Sequence, residues 1–401
     1  MYKFIFSVFL MSTPLFASWD QWRGNYDANG VVEKQDVVHE WSDTKNIIWK
    51  AVVPGKGHSS PVFKNNKIFL TTADDEKNTL SFLCYDQKTG KKIWEKVALK
   101  GKLLKLKHPQ SDHAASTPVV TDDLVITTFG MDNSSWLVAV DHKGAVKWKK
   151  RLADFESQFG MGSSPLLYKN KVYVLQDNKP DLFVACYDIK DGKEIWRKER
   201  KVIKEISYSS PRIITYKGKD MLVVNGLYKV TAYDPIKGDE LWDIKGHVRT
   251  TVGTPVLVGD ILFCNGGYPD KVTTAYKMGD TPKLLWNNKF NSYTSSLIAI
   301  DNEIYVGNPK GFLACIDQKT GKINWKKNLK GKDIIASPLY INGKLYVSTI
   351  KGITKVVKPN AKEYVELASN SLEGDIFSSS AIVENKIYQR TAGYLYCIGK
   401  K

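Results

Sequence analysis

Residues 59–96 read SSPVFKNNKIFLTTADDEKNTLSFLCYDQKTGKKIWEK, and this stretch decides the fold. Ser59-Ser60-Pro61 opens a brief apolar strand. The turn Lys64–Lys67 feeds an alternating strand from Ile68 to Thr72, and a polar loop precedes a third strand from Ser81 to Tyr85. Asp86, Thr89 and Gly90 then make a tight turn into a fourth strand that ends at Trp94. The turn has a mechanism: aspartate accepts hydrogen bonds from nearby backbone N–H groups, and glycine takes the positive φ that other residues avoid. One such sheet cannot cover both of its faces alone, so copies of it must stack on each other.

The copies are present. Later units open at Ser116, Ser163, Ser209, Gly253, Ser295, Ala336 and Ser379. That gives eight units, spaced roughly 40–57 residues apart, the range of four-stranded propeller blades. The turn and its tryptophan recur as DHKGAVKW (141–148), DIKDGKEIW (188–196), DPIKGDELW (234–242) and DQKTGKINW (317–325). Unit five keeps Trp286 but replaces the turn with KMGDTPKLLW. Unit seven has no tryptophan and offers Tyr364, and unit eight stops after its third strand, Leu395–Ile398.

The missing strand is found at the other end of the chain. Residues 46–53, NIIWKAVV, resemble an outer strand with Trp49 in the place of the other tryptophans. The expectation is an all-β, eight-bladed propeller of four-stranded antiparallel blades, whose ring is closed when the N-terminal strand completes the last blade. Closure removes the open sheet edge on which many-stranded proteins aggregate. The blade tryptophans are then Trp49, Trp94, Trp148, Trp196, Trp242, Trp286 and Trp325, and the propeller is one domain over 46–401.

Residues 1–17 read as a signal peptide: Lys3 supplies the charge, Phe4–Met11 the apolar run, and Leu15-Phe16-Ala17 the cleavage site. The run is too short to span a bilayer. The residue directly after Ala17 is Ser18 and not a cysteine, so the expectation is a periplasmic or secreted chain without a lipid anchor or transmembrane segment. Export permits disulfides. However, Cys84, Cys186, Cys315 and Cys397 all sit in the third strand of their units, and with Cys264 they read as small buried core residues.

The net charge is +17, yet only seven of the 59 basic residues are arginines. Base-reading proteins rely on arginine's planar fork, and here lysines are scattered over nearly every turn. The charge therefore points away from nucleic acid and towards weak attraction to anionic envelope polymers.

Residues 18–45 are expected to form a lid on one face of the ring, with Trp19, Trp22 and Arg23 stacked in it. The longest insertion, 98–115, carries Lys100, Lys102, Lys105 and Lys107 and brings His108, Asp112 and His113 close in sequence. Two histidines and a carboxylate can imitate a metal set, but a metal site needs fixed geometry, and a solvated loop accounts for the same residues. No metal is expected. The small residues opening each unit, followed by proline at 61, 118, 165, 211, 255 and 338, suit strands crowded around the propeller axis. Just upstream lie bulkier groups, His58, His113, Phe159, Tyr208, Arg249 and Tyr293. These are expected to face one end of the central channel, as a ligand or partner funnel or as its plug.

The repeated turns and Ser-Ser-Pro openings resemble the PQQ-like β-propeller repeat proteins of the quinoprotein-like superfamily. DQWRG, GKGHSSPV, HAASTPVV, GMGSSPLL, AYDPIKG and RTAGYLYCI are similar to its small exported, BamB-like members. The resemblance covers roughly 19–401 and implies eight blades with each tryptophan docked between neighbours. It implies no bound cofactor here. The quinone alcohol dehydrogenases carry a vicinal cysteine pair and a calcium constellation of acidic residues with asparagine, and this sequence offers neither. The expected function is a non-catalytic exported scaffold, monomeric, binding another envelope protein or an anionic envelope polymer. The alternative is a quinoprotein-type oxidoreductase or a glycan-acting propeller enzyme.

Overall fold

The computed structural model describes residues 19–24, 27, 29–200, 206–245, 247–268, 270–290 and 292–400. The expected leader lies outside them. Among the described residues no helix is long and apolar enough to cross a membrane.

Eight antiparallel sheets follow one another around a ring. Blade 1 consists of Val62–Lys64, Lys67–Asp74, Thr79–Asp86 and Lys92–Lys100, and blades 2 to 6 repeat the order between Val119 and Asn328. Blade 7 is Leu339–Ile341, Lys344–Ser348, Ile353–Lys358 and Val365–Ser371. Blade 8 takes three strands from the C-terminus (Ala381–Val383, Lys386–Thr391, Tyr394–Ile398) and its outer strand, β2 (Ile47–Val52), from the N-terminus. Trp49 lies opposite Cys397, so the ring closes as the sequence predicts.

The register explains the repeat. In the outer strand each tryptophan faces a small residue of the third strand: Cys84 for Trp94, Ala139 for Trp148, Cys186 for Trp196, Ala232 for Trp242, Ala275 for Trp286 and Cys315 for Trp325. A small side chain there lets the indole lean onto an aromatic ring of the second strand. Centroids are 5.9–6.1 Å apart for Trp49–Tyr388, Trp94–Phe69, Trp196–Tyr173, Trp286–Phe263 and Trp325–Tyr305. All five cysteines are free and buried, and burial raises the Cys397 thiol to about 11.

Six of the seven indoles also reach the next blade through Nε1. Trp49 Nε1 donates to Gln87 O at 3.2 Å, Trp94 Nε1 to His142 O at 3.1 Å, and Trp325 Nε1 to Asn360 O at 2.7 Å. The receiving turn is held by its own aspartate: Asp86 Oδ1 accepts from the N–H and O–H of Thr89, both at 2.7 Å. Gly90 has φ +70°, and a Cβ on it would come within 2.6 Å of the Trp49 ring. The Asp-x-x-Thr-Gly turn is thus a socket for the preceding blade's tryptophan as well as a reversal of the chain.

Blade 7 departs from this pattern. Its tryptophan register holds Ala368, opposite Val356. Tyr364 does not stand in for the missing indole; it sits edge-on to Trp325 of blade 6, with centroids 5.7 Å apart. The aromatic that fills the gap is Trp41, buried and stacked on Tyr346 at 6.4 Å with rings 4° from parallel. Asn370 Oδ1 accepts its backbone N–H at 2.8 Å.

The N-terminal segment holds one end of the ring, here the bottom, where the tryptophan turns lie. Phe63 N–H donates to Trp19 O and Val120 N–H to Asp20 O, both at 2.7 Å, and Gln21 Oε1 accepts from Leu167 N–H at 2.9 Å. β1 (Val31–Val32) then runs parallel to the inner strand of blade 7 as a fifth strand, Val31 opposite Tyr340.

Candidate ligand and partner site

The small residues that open each unit crowd the axis and bond around it. The N–H of Ser60 donates to Thr117 Oγ1, Thr117 to Ser164 Oγ, Ser164 to Ser210 Oγ, Thr254 to Ser296 Oγ, Ser296 to Ser337 Oγ, Ser337 to Ser379 Oγ, and Ser379 back to Ser60 Oγ. These bonds span 2.9–3.1 Å. Serine and threonine recur because each hydroxyl satisfies a backbone donor of the neighbouring blade that has no ladder partner.

Within this hydroxyl ring, and lined in part by its side chains, lies an axial cavity of about 310 Å³. Trp22 forms part of its lining from the bottom end, and His58, Phe159, Tyr208, Tyr293 and Phe377 line it from other blades. Phe159 stands edge-on to Tyr208 at 5.7 Å, and burial raises the Tyr208 phenol to about 12. Trp22 carries Arg212 at 4.7 Å and Arg23 at 5.8 Å from its ring. Burial lowers both guanidinium groups to about 9.

A second cavity, of about 540 Å³, opens beside the first between blades 8 and 1. Its lining comes from the chain entering blade 1 (Gly55–His58), from the 106–113 loop and from Phe377–Gly393 of blade 8. His58 Nε2 lies 3.7 Å from Asp112 Oδ2, and His113 Nε2 lies 4.0 Å from Asp75 Oδ1. His58 stacks on Phe377 at 4.1 Å. Burial holds the His58 and His113 imidazoles below the usual range, opposed by Asp112 for His58 and by Asp75 for His113. Arg390 is buried in the wall, and burial lowers its guanidinium to about 10.

Of the six residues nominated from the sequence, His58, Phe159, Tyr208 and Tyr293 line the axial cavity, and His113 lines the neighbouring one with His58. Arg249 is elsewhere. It lies 4.6 Å above the Tyr268 ring and borders a shallow cleft with Lys105, Lys107 and Lys179. His108, Asp112 and His113 diverge: His108 Nδ1 accepts from Gln110 N–H at 3.1 Å, while the other two turn to different partners. Among the described residues no three His, Cys, Asp or Glu side chains are grouped to hold a metal ion.

Sequence reasoning missed Arg390. A signal was available, because two residues past the second-strand position that underlies the tryptophan the other units carry Thr71, Thr128, Leu175, Asn225, Asn265, Gly307 and Ser348, all uncharged. Arginine breaks that register in unit eight.

A closed eight-bladed ring, its bottom covered by the N-terminal segment and its axis walled by aromatics, defines a PQQ-like propeller. The family profile described as outer membrane protein assembly factor BamB matches residues 29–157 and 83–327, most of the chain. The chain belongs to this family. BamB of Shewanella oneidensis is 19% identical over 314 residues, 78% of this chain. The match spans 63% of that relative's length, less than two thirds of it. Among solved structures, BamB from Moraxella catarrhalis superposes with a TM-score of 0.63 at 14% identity, covering 88% of this chain and 97% of that one. Quinohemoprotein alcohol dehydrogenase from Comamonas testosteroni gives 0.66 at 11% identity, covering 96% and 81%. At such identities the likeness is one of fold alone.

The dehydrogenase likeness raises the question of a quinone. PQQ is a tricarboxylate, and its divalent cation takes hard oxygen ligands. The described residues lining the axial cavity are hydroxyls, amides, aromatics and imidazoles, with no carboxylate for a cation and no lysine or arginine for the acids. Asp75 and Asp112 face the neighbouring cavity beside His113 and His58, and Asp333, behind the wall, accepts from Gln110 Nε2 at 3.0 Å. The donor set does not fit that cofactor pair.

Proposed function

We propose that this protein is an exported, non-catalytic scaffold of the cell envelope that holds an extended segment of another envelope protein and carries no quinone. The observation that carries the reading is β1: the ring already accepts an extended stretch of its own chain as an added strand. Strand addition supplies affinity through main-chain hydrogen bonds, with side-chain pockets setting specificity. Outer strands offer further open edges with apolar side chains in solvent, among them Ile93 and Val97 of blade 1 and Leu284 and Leu285 of blade 5. Membership of the BamB family supports an envelope setting, and the lysine-rich surface suits anionic polymers there as weaker partners. The chain works as a single copy in this reading.

The test is site-specific photo-crosslinking in intact cells, with the probe placed at Leu284 on the outer edge or at Tyr293 in the axial cavity. A discrete adduct with one envelope protein is expected. Uniform failure to crosslink, together with dye-linked alcohol oxidation after reconstitution with PQQ and calcium, would replace the scaffold with a quinoprotein enzyme.

A further inference from the structure

We propose that the cavity between blades 8 and 1 is a binding site for a small monocarboxylate with an apolar body, its carboxylate seated on Arg390. This goes beyond the scaffold reading and does not depend on it.

Arg390 is fixed from one side only. Its Nη1 donates to Ser59 Oγ at 2.8 Å, Ser59 O at 3.3 Å and Thr71 O at 2.9 Å. Its Nε is buried without a partner. Nε and Nη2 form the edge of the guanidinium that receives a carboxylate side-on through two parallel bonds. Space beside that edge is kept by Gly57, where a Cβ would stand 2.4 Å from Nη2. Both residues line the cavity. A buried cation with an unmet donor is costly unless something pairs with it, and no carboxylate of the described residues forms an ion pair with it.

The surroundings narrow the ligand. The ionisable groups facing the cavity are Lys56, His58, Asp75, Asp112, His113 and Arg390. Lys56 Nζ is committed to Asp75 at 2.7 Å, and Asp112 lies beside His58. With Asp112 already present, a ligand carrying one negative charge is accepted more readily than a dianion, which favours carboxylate over phosphate. Leu106, Pro109, Phe377 and Ala392 supply an apolar wall. The volume of about 540 Å³ lies within the range of small-molecule clefts.

The experiment uses the full chain and three probes: phenylacetate, benzyl alcohol and inorganic phosphate. Calorimetric titration with phenylacetate should be saturable. In the unmodified protein the imidazole resonances of His58 and His113 should move during that titration, while those of His39 and His142 stay in place. Arg390→Lys keeps the charge and removes the fork, and it should weaken phenylacetate by about 10- to 100-fold. Benzyl alcohol binding as tightly as phenylacetate would overturn recognition of the charge. Phosphate competing on equal terms would overturn the choice of a monocarboxylate. Should Arg390→Lys fail to fold, the imidazole titration decides alone, and unmoved His58 and His113 signals would sink the proposal.

Discussion

The bottom and the top of this ring are made by different rules. At the bottom, tryptophan, socket turn and small third-strand residue repeat from blade to blade, and the N-terminal segment fastens the inner strands. At the top, the inter-blade connections range from the 18 residues after Lys100 to the nine after Ser371, and there the cavities lie, with half-buried His58 and His113 and buried Arg390 in their walls. The repeated sockets satisfy the indole donors of six blades, although Trp19 Nε1 and Trp41 Nε1 of the N-terminal segment stay unmet. Irregular packing leaves polar atoms unmet and room beside them. Stability should therefore reside at the bottom, and binding and pH sensitivity at the top.

The hardest test of that division is to remove β2. Deleting residues through Val53 takes away the outer strand of blade 8 and bares the edge of Tyr394–Ile398. Loss of cooperative unfolding, with aggregation, is expected by calorimetry and light scattering. A deletion variant that melts cooperatively near the parent would mean that bottom closure is dispensable.

Single indoles come next. Trp49→Ala and Trp196→Ala should each cost about 3–5 kcal/mol in denaturant unfolding, since both indoles fill the same kind of socket. Trp41→Ala should cost a similar amount, although it belongs to no strand, because it stacks on Tyr346 in the gap left by Ala368. A Trp41 variant within about 0.5 kcal/mol of the parent, the range of surface changes, would show blade 7 standing without it.

The top should respond to acid. His247, in the connection between blades 4 and 5, is buried. Burial lowers it to about 4, opposed by a hydrogen bond with the Asn265 backbone. The unfolded chain binds this proton near pH 6.5 and the folded chain near pH 4, so stability falls as pH drops between those values. The total loss is about 3 kcal/mol. His247→Gln should remove that share of the pH dependence, whatever it does to stability at pH 7. Parallel pH–stability curves for variant and parent would place the titration elsewhere.

Legibility in the sequence follows the same division. Ring size, blade boundaries and the closing strand are readable because each unit restates one local pattern, and a period needs no knowledge of distant contacts. Trp41 is not readable. Its bond to Asn370 spans 329 positions, and nothing near Trp41 in sequence announces blade 7. The cavity beside Arg390 is hidden for the same reason, since three distant pieces of chain build it. Nominating bulky residues upstream of each unit gathers His58, Phe159, Tyr208 and Tyr293 at the axis, because unit openings all approach it. It misplaces Arg249, whose connection runs wide towards Tyr268.

The finest test compares two glycines with nearly equal backbones. Gly90 has φ +70° and an indole where its side chain would be, while Gly343 has φ +78° and open space around it. Alanine at Gly343 meets only the left-handed backbone, a cost of about 1–2 kcal/mol. Alanine at Gly90 meets that and the Trp49 ring at 2.6 Å, and overpacking adds about 1–3 kcal/mol. The difference between the two variants therefore measures the socket apart from the turn. In a Trp49→Ala background the indole is gone, and Gly90→Ala should fall back to the cost of Gly343→Ala. Urea unfolding of the four variants closes this cycle. Should Gly90→Ala cost the same with and without Trp49, the glycine serves the turn alone, and the fit of indole to neighbouring blade contributes nothing measurable to holding the bottom of the ring.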